Sequence, residues 1–79
     1  MSDIKPDHTL DVKGLACPLP ILKLAQMIKN IDIGNVVEVL ATDPGSVPDI
    51  AAWSRQSGNE VLKHEKDGKI FKFYVAKRV

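Results

Sequence analysis

The chain has 79 residues, 44% of them apolar, and eleven Lys and Arg nearly balance ten Asp and Glu for a net charge of +1. This composition excludes a disordered chain, and it lacks the cationic excess of a nucleic-acid binder, so direct nucleic-acid binding is not expected. A chain this short buries about 60% of its unfolded surface, enough for one core but not for a deep enclosed pocket as well, so any chemistry belongs at the surface or is completed by a partner.

Segment 1–7 is polar, contains Pro6 and is expected to fray, leaving 8–79 as one domain. It has no hydrophobic signal core, and no apolar run approaches the ~18 residues of a membrane span. With a single cysteine no internal disulfide is possible. The expectation is a cytoplasmic protein with no membrane association.

His8 to Lys13 alternates polar and apolar residues, which predicts a half-buried strand. Gly14-Leu15-Ala16 leads from it to Cys17. Ile21, Leu24, Ala25 and Ile28 then recur at the spacing of one helix face, predicting a helix over 18–31. Pro18 and Pro20 fit its first turn, where backbone N–H groups have no intrahelical acceptor. Val36 to Thr42 is β-branched and apolar and reads as a strand, punctuated by Asp43-Pro44-Gly45. A second helix is predicted over 46–57, with Ser46 as N-cap, Asp49 completing a capping box and Gly58 as C-terminal cap. Its inner face is Val47, Ile50, Ala51 and Ser54, with Trp53 beside it. Glu60–Lys66 and Lys69–Lys77 are predicted strands around an Asp67-Gly68 hairpin turn. The order β-α-β-α-β-β, with strands apolar on one face, predicts an α/β (α+β) two-layer sandwich. Both helices should cover one face of a mixed four-stranded sheet.

The chemistry-bearing segment is Gly14 to Pro20. It places Cys17 just after a strand and at the N-terminus of a helix, where free N–H groups and the macrodipole favour an anion by up to ~2 kcal/mol. The expected consequence is a thiol pKa below its ordinary value. The prolines stiffen the turn and fix the sulfur in place. The competing reading of a lone cysteine is a buried small hydrophobe; the strand-to-helix junction favours exposure.

The Cys17-Pro18-Leu19-Pro20 run, preceded by Gly14-Leu15, resembles the Cys-Pro-x-Pro motif of the TusA/SirA-like family of small sulfur carriers. Asp43-Pro44 followed by Asp49-Ile50 is a second match, and the similarity covers residues 8 to 77. The resemblance implies a carrier that accepts sulfane sulfur as a persulfide on Cys17 and passes it to an acceptor protein, acting in a relay rather than as a self-contained enzyme. Gly14, Pro18, Pro20, Asp43 and Asp49 are the supporting motif positions. The implied donor is a protein such as a cysteine desulfurase or a rhodanese-like protein. The implied acceptor is a DsrE-like or related sulfur-transfer protein. The relay is one of tRNA thiolation or of reduced-sulfur metabolism. Leu19 stands where some tRNA-relay members carry an acidic residue, and Ala16 where a basic residue precedes the cysteine.

Read as residues alone, Asp43 serves a turn and Asp49 a helix cap. His8 and His64 with Cys17 lack metal-ligand spacing, so no metal site is expected, and no motif requires a cofactor. Lys13, Lys23, Lys72, Lys77 and Arg78 form either a solvated face or a basic docking surface. Trp53 and Met27 read as core or core-edge packing, with exposed contacts for a partner as the alternative. The alternative functions are a noncatalytic protein- or RNA-binding module and a thiol redox sensor; the latter lacks a resolving cysteine.

Overall fold

The structure is a computed structural model and describes residues 4–79. Its elements in chain order are β1 (His8–Asp11), α1 (Leu19–Ile28), β2 (Val36–Ala41), α2 (Ser46–Ser57), β3 (Glu60–Asp67) and β4 (Ile70–Ala76). They form one four-stranded mixed sheet in the order β1-β2-β4-β3. β1 runs parallel to β2, with Leu10 opposite Val39, and β4 is antiparallel to both β2 and β3.

Alternation along the strands decides which face is covered. Val37, Val39 and Ala41 of β2 and Phe73 and Val75 of β4 are buried, and they pack in one cluster with Leu24 and Ile28 of α1 and Ile50 of α2. Both helices therefore lie on the same face, as the pattern predicts. Each fully buried Leu, Ile or Phe in such a cluster stabilises the fold by roughly 1.5–3 kcal/mol relative to its exposed state. On the opposite face the Tyr74 hydroxyl donates to Glu38 at 2.9 Å and lies 3.5 Å from Glu65, so a polar strap ties the three strands β2, β4 and β3.

Several element ends fall short of expectation for local reasons. β1 stops at Asp11 because the Asp11 carboxylate accepts the Lys13 N–H at 3.0 Å, turning the chain out of the ladder. α1 begins at Leu19, not at Pro18: Pro18 is its N-cap and the buried Pro20 lies in its first turn. The helix ends at Ile28 rather than near Ile31, because the Asn30 side chain donates to the Gln26 carbonyl while its N–H closes a tight turn onto Met27. α2 matches its predicted bounds, and Gly58 takes the left-handed C-cap conformation at φ 85°. Its N-cap is Gly45 rather than Ser46, whose hydroxyl donates backwards to the Asp43 carbonyl at 2.6 Å. Ala51 of the expected inner face is exposed, and the buried positions are Ser46 and Ile50. The hairpin turn is Gly68-Lys69, one residue later than expected, because Asp67 still pairs with Ile70. Gly68 has φ 62°, as the first central residue of a type II′ turn requires.

The segment expected to fray lies partly outside the described residues, at 1–3. At its other end Asp7 exchanges two 2.8 Å hydrogen bonds with Val36, one through its N–H and one through its carboxylate.

Candidate functional site

The loops that follow the carboxyl ends of the parallel strands β1 and β2 meet over one edge of the helical layer. Three bonds join them. The Gly14 N–H donates to Thr42 Oγ1 at 2.9 Å. The Cys17 N–H donates to Asp43 Oδ2 at 2.8 Å. Finally, the Cys17 Sγ–H donates to Asp49 Oδ2, on the first turn of α2. Gly14 adopts φ 83°, which lets the chain turn sharply out of β1 towards Cys17. The Cys17–Pro18 peptide bond is cis.

Cys17 is exposed, as its strand-to-helix junction predicts, and is not a packed core residue. Its acidity is opposite to the sequence expectation. The hydrogen bond to Asp49 raises the thiol pKa above its ordinary value, with desolvation and the charges of Asp49 and Asp43 acting in the same direction. A carboxylate that accepts the S–H proton favours the neutral thiol, and two carboxylates repel a thiolate. The positive end of α1 is outweighed by negative groups that no local pattern shows, Asp49 on the first turn of α2 and Asp43 on the loop before it.

The structure thus brings Cys17, Pro18, Asp43 and Asp49 together, with Gly14 and Pro20 holding the turn on either side. Asp49 does not close a capping box, and Asp43 does more than serve a turn. Two residues that the sequence did not single out belong here. Thr42 reads from sequence as the end of a strand, yet its hydroxyl anchors Gly14. Gly45 reads from sequence as turn punctuation, but a Cβ there would sit 3.2 Å from Asp43 Oδ2 and 3.5 Å from Cys17 Cβ. No sequence signal identifies either contact, because both depend on how two loops far apart in the chain meet.

An open cleft of about 310 Å³ runs from Cys17 along the α1–α2 seam, lined by Pro18, Ile21, Asp49, Ala52, Trp53 and Gln56. Leu19 and Leu22, in the first turns of α1, are 44% and 51% exposed. The histidines lie elsewhere: His8 bonds Asn35 at 3.3 Å, and His64 stacks on Phe73 at 4.8 Å. Among the described residues no cluster of three His, Cys, Asp or Glu side chains is arranged to hold a metal ion. Of the basic residues weighed as a docking surface, Lys13 pairs with Asp11, Lys72 with Asp67 and Arg78 with Glu60, while Lys77 donates to the Ile31 carbonyl. No described helix is long and apolar enough to cross a membrane.

The structure is a small two-layer α/β sandwich with an exposed thiol at a strand-to-helix junction. The sequence profile of the family described as Sulfurtransferase TusA matches residues 8–77, and the chain belongs to that family. The sulfur carrier protein TusA of Allochromatium vinosum is 44% identical over 71 residues, covering 90% of this chain and 93% of its own length. The Bacillus subtilis protein YrkI is 40% identical over 74 residues, covering 94% of this chain and 99% of its own. An Aquifex aeolicus relative is 47% identical over 70 residues, 87% of this chain, which spans only 36% of that longer protein. The crystal structure of a SirA-like protein from Desulfitobacterium hafniense has the same fold. Its TM-score is 0.78 at 22% identity, over 91% of this chain and 99% of that one.

Proposed function

We propose that this protein is a sulfur carrier that accepts sulfane sulfur as a persulfide on Cys17 and passes it to an acceptor protein. The observation that carries the reading is the exposed Cys17 thiol, held by its backbone N–H and its Sγ between Asp43 and Asp49 in a chain of the TusA family. In loading, Cys17 Sγ attacks the outer sulfur of a donor persulfide. One S–S bond forms as another breaks, the donor leaves as a thiol, and no external oxidant is required. Delivery is the same exchange with the acceptor's thiolate as attacker.

A single thiol suffices for this cycle, which supports a carrier over a redox sensor that needs a resolving cysteine. The open cleft at Cys17 and the exposed Leu19 and Leu22 in the first turns of α1 support protein partners on both sides of the relay. Membership of the TusA family supports their kinds, a donor such as a cysteine desulfurase or rhodanese-like protein and an acceptor of the DsrE-like kind. A free, exposed thiol supports residence in the reducing cytoplasm.

The test is intact-protein mass after incubation with a persulfide donor. Wild type gains one reducible sulfur atom, and Cys17→Ser gains none while keeping its fold, since Met1 and Met27 are thioethers and form no persulfide. Equal labelling of both proteins, or no labelling of wild type, rejects the carrier reading.

A further inference from the structure

We propose that Asp49 acts as a positioning residue that biases Cys17 towards releasing sulfur, by accepting a hydrogen bond from the unloaded thiol and repelling the loaded persulfide. The inference rests on the carrier reading and adds the direction in which the site is tuned.

The geometry sets two states of the same sulfur against one carboxylate. In the unloaded state Cys17 Sγ carries a proton, and Asp49 Oδ2 accepts it in a hydrogen bond. In the loaded state Sγ is bonded to the outer sulfur and has no proton to donate, so that bond is lost. A persulfide is also more acidic than its parent thiol, so at neutral pH the outer sulfur carries negative charge beside Asp49. The charged groups that act on this sulfur are Asp49 from α2 and Asp43 from the β2–α2 loop. The first turn of α1 contributes no acidic residue. Both carboxylates favour the neutral thiol and disfavour the anionic persulfide. The cleft that Pro18, Ile21, Asp49 and Trp53 line gives the outer sulfur room beside Asp49 and leaves it open to an attacker.

The release step balances without a co-reactant. An acceptor thiol R–SH gives Cys17–S–S⁻ + R–SH → Cys17–SH + R–S–S⁻. The Cys17 S–S bond breaks and the R–S bond to the outer sulfur forms. The proton of the acceptor ends on Cys17 Sγ, where Asp49 accepts its hydrogen bond. Each turnover thus restores the favoured pairing of neutral thiol and carboxylate.

The experiment loads wild type, Asp49→Asn and Asp49→Glu with inorganic polysulfide and equilibrates each with glutathione at neutral pH. Intact mass gives the fraction still carrying one extra sulfur. Asp49→Asn is expected to shift this exchange towards retention by about fivefold, the scale of one charge–charge contact at a solvated surface. Its alkylation pH profile should move to lower pH, because the thiolate loses a neighbouring charge. Asp49→Glu should restore both properties towards wild type. Equal retention by wild type and Asp49→Asn would overturn the proposal. So would a pH profile that moves while the exchange equilibrium does not, because Asp49 would then perturb the thiol without tuning release. Failure of wild type to load at all would reject the carrier reading itself and is a separate outcome, read before any exchange.

Discussion

Cys17 shows how one tertiary contact reverses a local electrostatic argument. At the end of a strand and the start of a helix, the isolated motif favours a thiolate. Asp49 and Asp43, 32 and 26 residues further along the chain, bond to its Sγ and N–H and favour the thiol. The sign of the pH dependence follows. Alkylation needs the thiolate, and the thiol pKa is raised, so at neutral pH the exposed Cys17 reacts more slowly than an unperturbed exposed cysteine. The rate should climb as pH rises through the raised value. Iodoacetamide kinetics against pH check this, and a profile at or below that of a free cysteine peptide would contradict it. Gly45→Ala tests the packing of the same site. Gly45 has φ −64°, so alanine introduces no backbone strain, but its Cβ would press on the Asp43 carboxylate at 3.2 Å. Stability should change by less than ~1 kcal/mol. Sulfur loading should slow, by less than the ~100-fold that a 1 Å misplacement costs.

Among the elements, the outer sheet face carries its own titration. Tyr74 is the single tyrosine, and its hydrogen bond to Glu38 leads the causes that raise its pKa from the ordinary 10.0 to about 12. A raised acid pKa means the unfolded chain loses this proton first. The stabilisation is therefore complete below pH 10 and is lost as pH rises towards 12. Tyrosinate absorbance should titrate near the upper value in wild type and at lower pH in Glu38→Gln; an unshifted variant would mean that Glu38 does not hold the proton. Alternation with the buried Phe73 and Val75 puts Tyr74 on the outer face, but its partners Glu38 and Glu65 sit on two other strands and leave no local signal. The same division runs through the fold. Element order and the inner face of α1 could be read because strand composition and the Leu24–Ile28 spacing are local patterns imposed by one buried layer. The face of α2 was legible only in part, Ile50 being buried and Ala51 exposed. Element ends were less legible. Those of β1 and α1 are set by side-chain acceptors and donors, Asp11 and Asn30, that compete for backbone groups. At the site, Cys17, Pro18 and Pro20 were legible because they adjoin in sequence. Thr42 and Gly45 were not, since their roles arise only when the second loop docks on the first.

For the whole molecule, small size separates the site from the core. The protein is a slab of 29 × 29 × 18 Å with a single apolar layer between sheet and helices. A domain of this length has a total stability of roughly 4–12 kcal/mol. Leu24, fully buried at 0% exposure on α1, faces that layer, and truncating such a residue to alanine costs about 2–5 kcal/mol. Leu24→Ala should therefore remove a large share of the total and lower the denaturant midpoint sharply. Cys17→Ser exposes no core surface and leaves no cavity, so its stability should stay within ~0.5 kcal/mol of wild type and its midpoint nearly unchanged. Trp53 is the single tryptophan, packs against the core and lines the cleft beside Cys17, so its fluorescence follows unfolding in all three proteins. A Cys17→Ser protein as unstable as Leu24→Ala would show that the thiol is part of the packing. The expected separation leaves the sulfur free to change its bonding, from thiol to persulfide and back, on a scaffold that need not rearrange.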